Sequence, residues 1–334
     1  METAEDRHPA PGPILNGSAS AQFTSPLPSL LASNTMFSIL TFYYLKTLAV
    51  LLRTVIALGG RIAGRPVPRP DEVRHIASRD PGRTIKIHVY RPVQPSTGPS
   101  PVLINFHGSG FLLPLHGSDV EFCQTISNNT QYTVLDVPYR LAPENPFPAA
   151  LNDVEDAINY ALGRLEEFDS SRISLSGFSA GGNLVLAASA TLFPPRTFRA
   201  LLAYYPALDL ASDAATKVAP DPSGRVIPIP VARLFNRCYV PPGVDKRDPR
   251  ISPKYADLER FPHRMLMITA EGDSLALEGE DLAQKLEKLP GRHVVRERMA
   301  GCNHAWDKRT RAGTPQREAR DRAYTLAVDM LNEA

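Results

Sequence analysis

The stretch Gly177–Gly182 (GFSAGG) decides the fold class of this 334-residue chain. It directly follows the apolar run Ile173–Ser176 (ISLS) and directly precedes an alanine- and leucine-rich stretch that predicts a helix. A G-x-S-x-G string alone arises by chance, but at a strand–turn–helix junction it is typical of a nucleophile elbow, where glycines allow the sharp turn that exposes a serine hydroxyl. The junction therefore predicts that Ser179 is a nucleophile rather than part of a glycine-rich helix start.

Short apolar runs alternate with helical stretches on both sides of this elbow. Ile85–Tyr90 alternates as an outer antiparallel strand does, whereas the later runs are apolar on both faces. Such runs, alternating with helices, indicate a mostly parallel sheet covered on both faces. The predicted class is α/β, with an α/β-hydrolase fold and a helical cap. The apolar runs are Pro101–Phe106, Tyr132–Val137, Arg172–Leu175, Ala200–Tyr205, Met265–Thr269 and His293–Arg296, and the predicted helices cover 149–167, 180–192, 278–289 and 316–332.

A second turn suited to acyl chemistry is His107–Gly110 (HGSG), which follows the first of these parallel runs. Acyl transfer places negative charge on a carbonyl oxygen, and preorganised backbone N–H groups stabilise that charge. Small residues let the backbone approach closely enough to donate. The N–H groups of Gly108 and Ser109, with that of Ala180 next to the nucleophile, are therefore the expected oxyanion hole, and an ordinary βα turn is the alternative.

The general base is expected to be a histidine downstream of the elbow, because this fold orders its triad as Ser, then Asp or Glu, then His. Histidine is the commonest base since its pKa lies near working pH. His263 precedes a predicted strand and His293 begins one, so neither lies in a suitable loop. His304 follows the last predicted strand and precedes the last helix, where a loop can bring it over Ser179.

The orienting acid is expected in the loop that follows the run Met265–Thr269. The candidates are Glu271, Asp273, Glu278, Glu280 and Asp281. Glu271 and Asp273 lie in that loop, whereas Glu280 and Asp281 fall within the next predicted helix. Such an acid holds the imidazole tautomer and stabilises the imidazolium without taking the proton itself. The residues alone leave Glu271 and Asp273 as alternatives.

The order of these motifs resembles one known family. The motifs are His107–Gly110, Tyr139–Glu144 (YRLAPE), Gly177–Gly182, the late Asp273 and the terminal His304. The combination is similar to the hormone-sensitive-lipase-like (arylacetamide-deacetylase-like) family of α/β-hydrolases, from about residue 80 to the C-terminus. The resemblance implies a serine carboxylic-ester hydrolase for short- to medium-chain acyl or acetyl esters of small molecules. It favours Asp273 as the acid and gives Tyr139–Glu144 a supporting role beneath the oxyanion turn.

Two departures from the family pattern bear on the substrate. Ser109 stands where the family has glycine, and its hydroxyl is expected to intrude on the acyl or leaving group. Phe178 stands where the family usually has a small polar or acidic residue. Phe178 and Trp306 are the candidate substrate-binding residues, although Trp306 fits the core as well as an acyl-pocket wall. These departures keep open a specialised metabolite-tailoring enzyme, a deacetylase, thioesterase or dehydratase, on the same site.

A non-catalytic small-molecule receptor is the alternative outside enzymes. The resemblance allows it because the plant gibberellin receptor shares this fold. Receptors of that kind lack the base, whereas this chain keeps Ser179, Asp273 and His304. The sequence therefore favours the enzyme.

The predicted organisation is one catalytic domain with additions. Residues 1–35 are expected to be a disordered tail, 36–75 N-terminal cap helices, and 76–334 the catalytic domain with a proline-rich cap insertion at about 211–250. Loops above the carboxyl edge of such a sheet carry binding functions.

The segment 36–58 is long enough to span a bilayer, but Lys46 and Arg53 share one helical face. A charge at the centre of a membrane helix costs about 2.5–3.5 kcal/mol. The segment is therefore expected to be an amphipathic helix that buries its apolar face as an intramolecular cap. Weak membrane-surface contact and a true anchor are the alternatives.

Composition excludes several partners. The net charge is +2, from 37 basic and 35 acidic residues, with no basic block that indicates nucleic acid. Cys123, Cys238 and Cys302 are too scattered for a disulfide framework or metal-ligand spacing, so they are expected to be reduced thiols in a cytoplasmic protein, or alternatively a membrane-associated one. No metal set and no phosphate-binding loop are found, and the chemistry needs no cofactor. The sequence leaves the oligomeric state open.

Overall fold

A mixed sheet organises the part of the chain that the computed structural model describes, residues 28–62 and 67–333. Its strands within these residues are β1 (Glu72–Ala77), β2 (Thr84–Tyr90), β3 (Ser100–Phe106), β4 (Thr133–Val137), β5 (Phe168–Phe178), β6 (Leu201–Tyr204), β7 (Arg264–Ala270) and β8 (His293–Met299). They are ordered β1-β2-β4-β3-β5-β6-β7-β8. β1, β2 and β4 pair antiparallel, and the remaining pairs are parallel.

Helices cover both faces of the sheet, which confirms the predicted fold class. Leu151 and Leu184 pack into the hydrophobic core on one face, whereas Phe122 and Tyr324 pack into the core on the other. The elements are α1 (Pro28–Ile62), α2 (Val120–Asn129), α3 (Ala149–Leu162), α4 (Ala180–Thr191), α5 (Ile229–Tyr239), α6 (Ala276–Glu287) and α7 (Pro315–Asn332). Because both faces are covered, β3 and β4 are buried along almost their whole length, as their apolar runs predict.

The first strand of the sheet begins before the predicted domain boundary at residue 76. β1 starts at Glu72 and takes up the end of the segment 36–75 that was expected to be cap helices. It lies at the edge of the sheet and pairs with β2 alone, so Ile76 is its only fully buried residue. A strand with so little burial carries no apolar run, and for that reason the sequence pattern does not predict it.

The N-terminal helix α1 begins at Pro28, so the end of the segment 1–35 predicted to be disordered is helical. Proline is tolerated at the first helical position, where its missing N–H is not needed. Residues 1–27 of that prediction lie outside the described residues. By length and composition alone, Ser38–Gly60 is apolar enough to cross a bilayer, with a mean hydropathy of 1.5.

From Phe42 onward, α1 belongs to the same compact unit as the rest of the chain. The side of α1 that packs against this unit is not the apolar side that the sequence predicted. Leu45 and Ala49 are buried, and Arg53 lies on the same side. Arg53 donates to the backbone oxygens of Leu112 (2.9 Å) and Ala142 (2.7 Å) and pairs with Glu144 at 2.9 Å. The prediction that the apolar face packs inward is therefore wrong, because the guanidinium finds three acceptors there and Ala49 permits the close approach.

The outward face of α1 is apolar. Its large side chains are exposed, namely Tyr43, Tyr44, Val50, Leu51, Val55 and Leu58. The hydroxyls of Thr47 and Thr54 on the same helix donate to the carbonyls of Tyr43 and Val50 one turn earlier. The exposed stripe therefore presents few hydrogen-bonding groups to its surroundings.

Candidate active site

The elbow between β5 and α4 holds Ser179 in a backbone conformation that few residues adopt. Ser179 has φ 52° and ψ −114°, and it is the N-cap of α4 without a capping hydrogen bond from its side chain. The turn needs glycine at two flanking positions. A Cβ on Gly177 would lie 2.3 Å from the Gly181 oxygen, and a Cβ on Gly181 would lie 2.0 Å from the Phe106 oxygen. The GFSAGG pattern thus follows from close backbone packing at the turn.

Three residues far apart in the sequence form a continuous chain of hydrogen bonds at this turn. His304 Nε2 lies 2.9 Å from Ser179 Oγ, and His304 Nδ1 lies 2.7 Å from Asp273 Oδ2. Asp273 is fully buried, and its other oxygen accepts from the Leu275 N–H at 3.0 Å. With Nδ1–H donating to the carboxylate, Nε2 is free to accept the serine proton.

The competing candidates from the sequence lie elsewhere. Glu271 accepts a hydrogen bond from the Gly301 N–H at 2.9 Å, so its carboxylate supports the loop that carries His304 instead of contacting the imidazole. His263 and His293 are near neighbours at the start of β7 and β8, and the backbone N–H of His293 donates to the His263 oxygen at 2.8 Å. The start of these parallel strands is the end opposite to the elbow.

The turn His107–Gly110 lies directly against the elbow. A Cβ on Gly108 would lie 3.2 Å from the Phe178 oxygen and 3.3 Å from Ser179 Cβ. Within residues 28–62 and 67–333, no group accepts a hydrogen bond from the backbone N–H of Gly108 or Ser109. Ala180 is the first residue of α4, where the N–H has no partner within the helix. All three predicted donors are thus available beside the serine.

The Ser109 hydroxyl does not extend toward a substrate. Ser109 Oγ lies 2.6 Å from Tyr139 Oη and accepts from the Phe111 N–H at 2.8 Å, and Tyr139 Oη donates to the His107 oxygen at 2.7 Å. The expectation that this hydroxyl intrudes on the acyl or leaving group is therefore wrong, because the network holds it beneath the loop. Tyr139, from the YRLAPE segment, takes the supporting position that the resemblance implied.

A cavity of about 780 Å³ lies above Ser179. His304 and Trp306 line one side, Ser109 and Phe111 another, and side chains from 211–250 and from α1 complete the wall. Those last side chains are Ile56, Ala214, Lys217, Ile227, Val231 and Phe235. Of the two candidate substrate-binding residues, Trp306 therefore lines the cavity, and no described group accepts from its buried Nε1–H.

Phe178 is not a substrate-binding residue. It is fully buried, stacks on Tyr204 with ring centroids 4.5 Å apart and packs edge-on against Phe122. Side chains alternate between the two faces of a strand, and Phe178 points to the face covered by α2 and α7. Its large side chain therefore fills the core beneath the elbow.

Residues that sequence reasoning missed hold the histidine loop from below. The Tyr205 ring lies 4.9 Å from the His304 ring, and its hydroxyl donates to Asp307 at 2.6 Å. Tyr324 donates to the same carboxylate at 2.9 Å, and Lys308 pairs with it at 2.8 Å. Burial and the Asp307 charge raise the pKa of Tyr205 well above its usual range, so it stays a donor. The position of Tyr205 just after β6 was the available signal.

The insertion 211–250 contacts the loops on both sides of Ser179. The Phe235 ring lies 2.5 Å from where a Cβ on Gly110 would be. A Cβ on Gly224 would likewise collide with the backbone of Gly272. Asn303, next to the histidine, accepts from the Arg225 N–H at 2.6 Å. The insertion is therefore attached to the oxyanion turn and to the loops that carry the acid and the base.

A family model described as the alpha/beta hydrolase fold matches residues 103–308, more than half of the chain. The chain therefore belongs to the hormone-sensitive-lipase-like family of α/β-hydrolases. The ethyl acetate hydrolase of Pseudomonas putida is 29% identical over 283 residues, which is 81% of this chain and 86% of that relative. The arylesterase of Saccharolobus solfataricus is 31% identical over 231 residues, 66% of this chain and 72% of that relative.

Solved structures agree with these relatives. The hyperthermophilic esterase from the archaeon Pyrobaculum calidifontis has a TM-score of 0.70 at 27% identity, over 86% of this chain and 93% of that chain. The predicted family, fold class and reaction class are thereby confirmed. The chain is a serine carboxylic-ester hydrolase that acts on small-molecule esters.

Proposed function

We propose that Ser179, His304 and Asp273 are the catalytic triad and that the N–H groups of Gly108, Ser109 and Ala180 are the oxyanion hole. The observation that carries this proposal is the unbroken set of hydrogen bonds from Asp273 through His304 to Ser179, at 2.7 and 2.9 Å. Among the histidines downstream of the elbow, His304 alone makes a hydrogen bond to Ser179 within the described residues.

Ester hydrolysis then proceeds in two halves. Ser179 Oγ attacks the ester carbonyl while His304 Nε2 accepts its proton, and the three N–H groups stabilise the oxyanion. His304 returns the proton to the leaving alcohol, which leaves an acyl group on Ser179. Water, deprotonated by His304, attacks that acyl group and restores the hydroxyl. Asp273 stabilises the imidazolium in both halves.

A fluorophosphonate probe tests this assignment and separates an enzyme from a receptor. An activated Ser179 forms a covalent adduct with the probe, so we expect stoichiometric labelling of the native protein and none after heat denaturation. The labelled peptide should contain Ser179. A native protein that resists the probe, or a label on another residue, would contradict the assignment of Ser179 as the nucleophile.

The substrate class we propose is short- to medium-chain acyl or acetyl esters. The cavity of about 780 Å³ is of the size that holds a small-molecule ester, and Phe235 and Ile56 restrict it from two sides. The names of the ethyl acetate hydrolase and arylesterase relatives support the same class. Together, α1 and the insertion 211–250 form the proposed cap.

We expect kcat/KM for p-nitrophenyl esters to be highest between acetyl and hexanoyl and at least about tenfold lower for palmitoyl, because a long chain meets the Phe235 ring. Phe235→Ala removes that ring and should move the optimum to longer chains. Leu165→Ala, at an exposed position outside the cavity, is the matched control and should keep the wild-type profile. A wild-type preference for palmitoyl esters contradicts the proposed class.

We infer that the outward face of α1 binds the surface of a lipid bilayer, so that this otherwise cytoplasmic protein associates with membranes. Leu51 and Val55 on this face are 58% and 65% exposed, and the nearby aromatic side chains Tyr43 and Tyr44 suit the membrane interface. Arg53, in the C-terminal half of Ser38–Gly60, is held by Glu144 and two carbonyls of the catalytic domain. A helix fastened there lies in the plane of the interface instead of spanning it.

Flotation with phosphatidylcholine vesicles, with and without phosphatidylserine, tests this surface. The wild-type chain should float with the vesicles, and the double variant Leu51→Glu, Val55→Glu should lower the bound fraction at least about tenfold, because charges enter lipid at high cost. Val93→Glu, at a position 69% exposed outside α1, should bind as wild type does.

Hydrolysis of soluble esters by the double variant should equal that of the wild type, since its substitutions lie away from the cavity. A wild-type chain that does not bind vesicles and that elutes as a dimer would instead show that a second copy covers this face.

A further inference from the structure

A cluster of ligand-type side chains lies at the antiparallel side of the sheet, apart from the triad. His88 on β2 and Asp136 on β4 are direct partners in the strand register, so their side chains lie on the same face. His116, from the loop after β3, completes the group, and its ring stacks on that of His88 with centroids 4.2 Å apart. One potential ligand atom from each residue lies within 4.8 Å of the others.

Two polar atoms of this cluster face each other without hydrogen bonds. Within residues 28–62 and 67–333, neither His88 Nδ1 nor Asp136 Oδ2 has a hydrogen-bond partner, although both are buried. They are 3.9 Å apart, and His116 Nε2 lies 3.3 Å from the same oxygen while pairing with the Asp136 backbone carbonyl at 3.1 Å. Buried polar atoms are rarely left unpaired, so these two atoms can accommodate a further partner such as a water molecule or a metal ion.

We propose that His88 Nδ1, His116 Nε2 and Asp136 Oδ2 bind a zinc-class divalent metal ion. Two imidazoles and one carboxylate are a common three-residue set for zinc, with the fourth position left for water or another ligand. Bonds of about 2.0–2.1 Å place tetrahedral ligand atoms roughly 3.4 Å apart, which is close to the separations of 3.3 and 3.9 Å. Coordination through His116 Nε2 would replace the hydrogen bond of that atom to the Asp136 carbonyl.

The surroundings of the cluster support a metal ion. Asp136 is fully buried, and its other oxygen accepts from Asn105 Nδ2 at 3.0 Å, which orients Oδ2 toward the histidines.

A metal ion at this cluster would stabilise the position of the loop that follows β3. His116 belongs to the same loop as the oxyanion turn and also lines the substrate cavity, whereas His88 and Asp136 belong to the sheet. A bound ion would fasten the end of that loop to β2 and β4. Because the ligands lie on two strands and a loop, 20 or more positions apart in the chain, no metal-ligand spacing is visible in the sequence.

The proposal is tested by titrating the chelator-treated full-length protein with Zn²⁺ and measuring the binding by isothermal calorimetry. We expect binding of about one equivalent that raises the melting temperature, since a ligand of the native state stabilises it. Co²⁺ as a spectroscopic substitute should give the intense visible bands of a four-coordinate site. Mg²⁺, which prefers oxygen ligands, should not compete.

Single variants locate the site. His88→Asn and His116→Asn should each weaken Zn²⁺ binding about tenfold or more and abolish the four-coordinate Co²⁺ spectrum. His75→Asn, on the exposed side of β1, is the matched control and should bind as wild type does. Equal Zn²⁺ affinity of the wild type and the double variant His88→Asn, His116→Asn overturns the proposal, as does a six-coordinate Co²⁺ spectrum. Circular dichroism spectra that match the wild type verify that the variants are folded.

Discussion

Replacing Ser179 with alanine is expected to lower kcat for ester hydrolysis by about 10³-fold or more while the protein stays folded. In the proposed mechanism the Ser179 oxygen forms the acyl intermediate, and His304 Nε2 lies 2.9 Å from this oxygen. Alanine removes only the hydroxyl oxygen from a side chain that makes no capping hydrogen bond to α4. Steady-state kinetics with p-nitrophenyl acetate and a thermal melt measure the two effects separately.

His304→Ala should cost about as much as Ser179→Ala, and the double variant should be little worse than either. Triad members act as a unit, so the loss of one makes the other ineffective. Ser171→Ala, an exposed serine on the same strand β5, is the matched control and should retain full activity. Esterase activity retained by Ser179→Ala would assign the chemistry to another residue, and additive losses in the double variant would show that the two residues act independently.

Gly181→Ala is expected to destabilise the protein by about 3 kcal/mol or more, because no small movement can make room for the methyl group. The added Cβ would lie 2.0 Å from the Phe106 oxygen and 2.7 Å from the His107 oxygen, both of them backbone atoms. The start of α4 would therefore have to separate from β3 and from the oxyanion turn. A large drop in melting temperature, or insoluble expression, is the expected result.

Gly59→Ala is the control for this substitution. Gly59 lies in α1 with nothing within 4 Å of an added Cβ, so alanine should be neutral or stabilise the helix by up to about 1 kcal/mol. If Gly181→Ala had the same melting temperature as the wild type, α4 and β3 would be less tightly packed than the structure shows. Residual activity of any folded Gly181→Ala fraction should also be low, since Gly108 lies against the same elbow.

Helix α1 carries both the proposed membrane-binding face and part of the wall of the proposed substrate cavity. Ile56 lines the cavity, while Leu51 and Val55 lie on the exposed face of the same helix. On the proposed functions, an ester dissolved in the bilayer surface would therefore reach the enzyme beside its substrate cavity. The Arg53–Glu144 pair maintains this arrangement, because it links α1 to the YRLAPE segment beneath the oxyanion turn.

The sequence by itself determined the features that depend on local chemistry. Few structures can place a strand, then Gly177, Ser179 and Gly181, and then a helix in this order. The backbone packs so closely at the two glycines that a side chain would not fit. The buried strands β3, β4, β6 and β7 were predicted for a similar reason, since strands covered on both faces must be apolar along their length. The loop positions of Asp273 and His304 followed from that alternation.

Only the tertiary structure decided what depends on which surfaces meet. Phe178 is next to Ser179 in the chain, but the alternation of side chains along β5 places it in the core on the far face. The Ser109 hydroxyl is turned away by Tyr139, which comes from a different strand end. Neither arrangement leaves a periodic signal in the sequence.

The same reason explains the inverted α1 and the histidine cluster. Arg53 is half-buried against the domain because Glu144 and two carbonyls accept its hydrogen bonds there, and hydropathy along one helix carries no information about a partner 91 positions away. His88, His116 and Asp136 come together through the pairing of β2 with β4, strands that are not consecutive in the chain. Long-range pairing of this kind is a property of the folded sheet, so the local sequence around each residue could not reveal it.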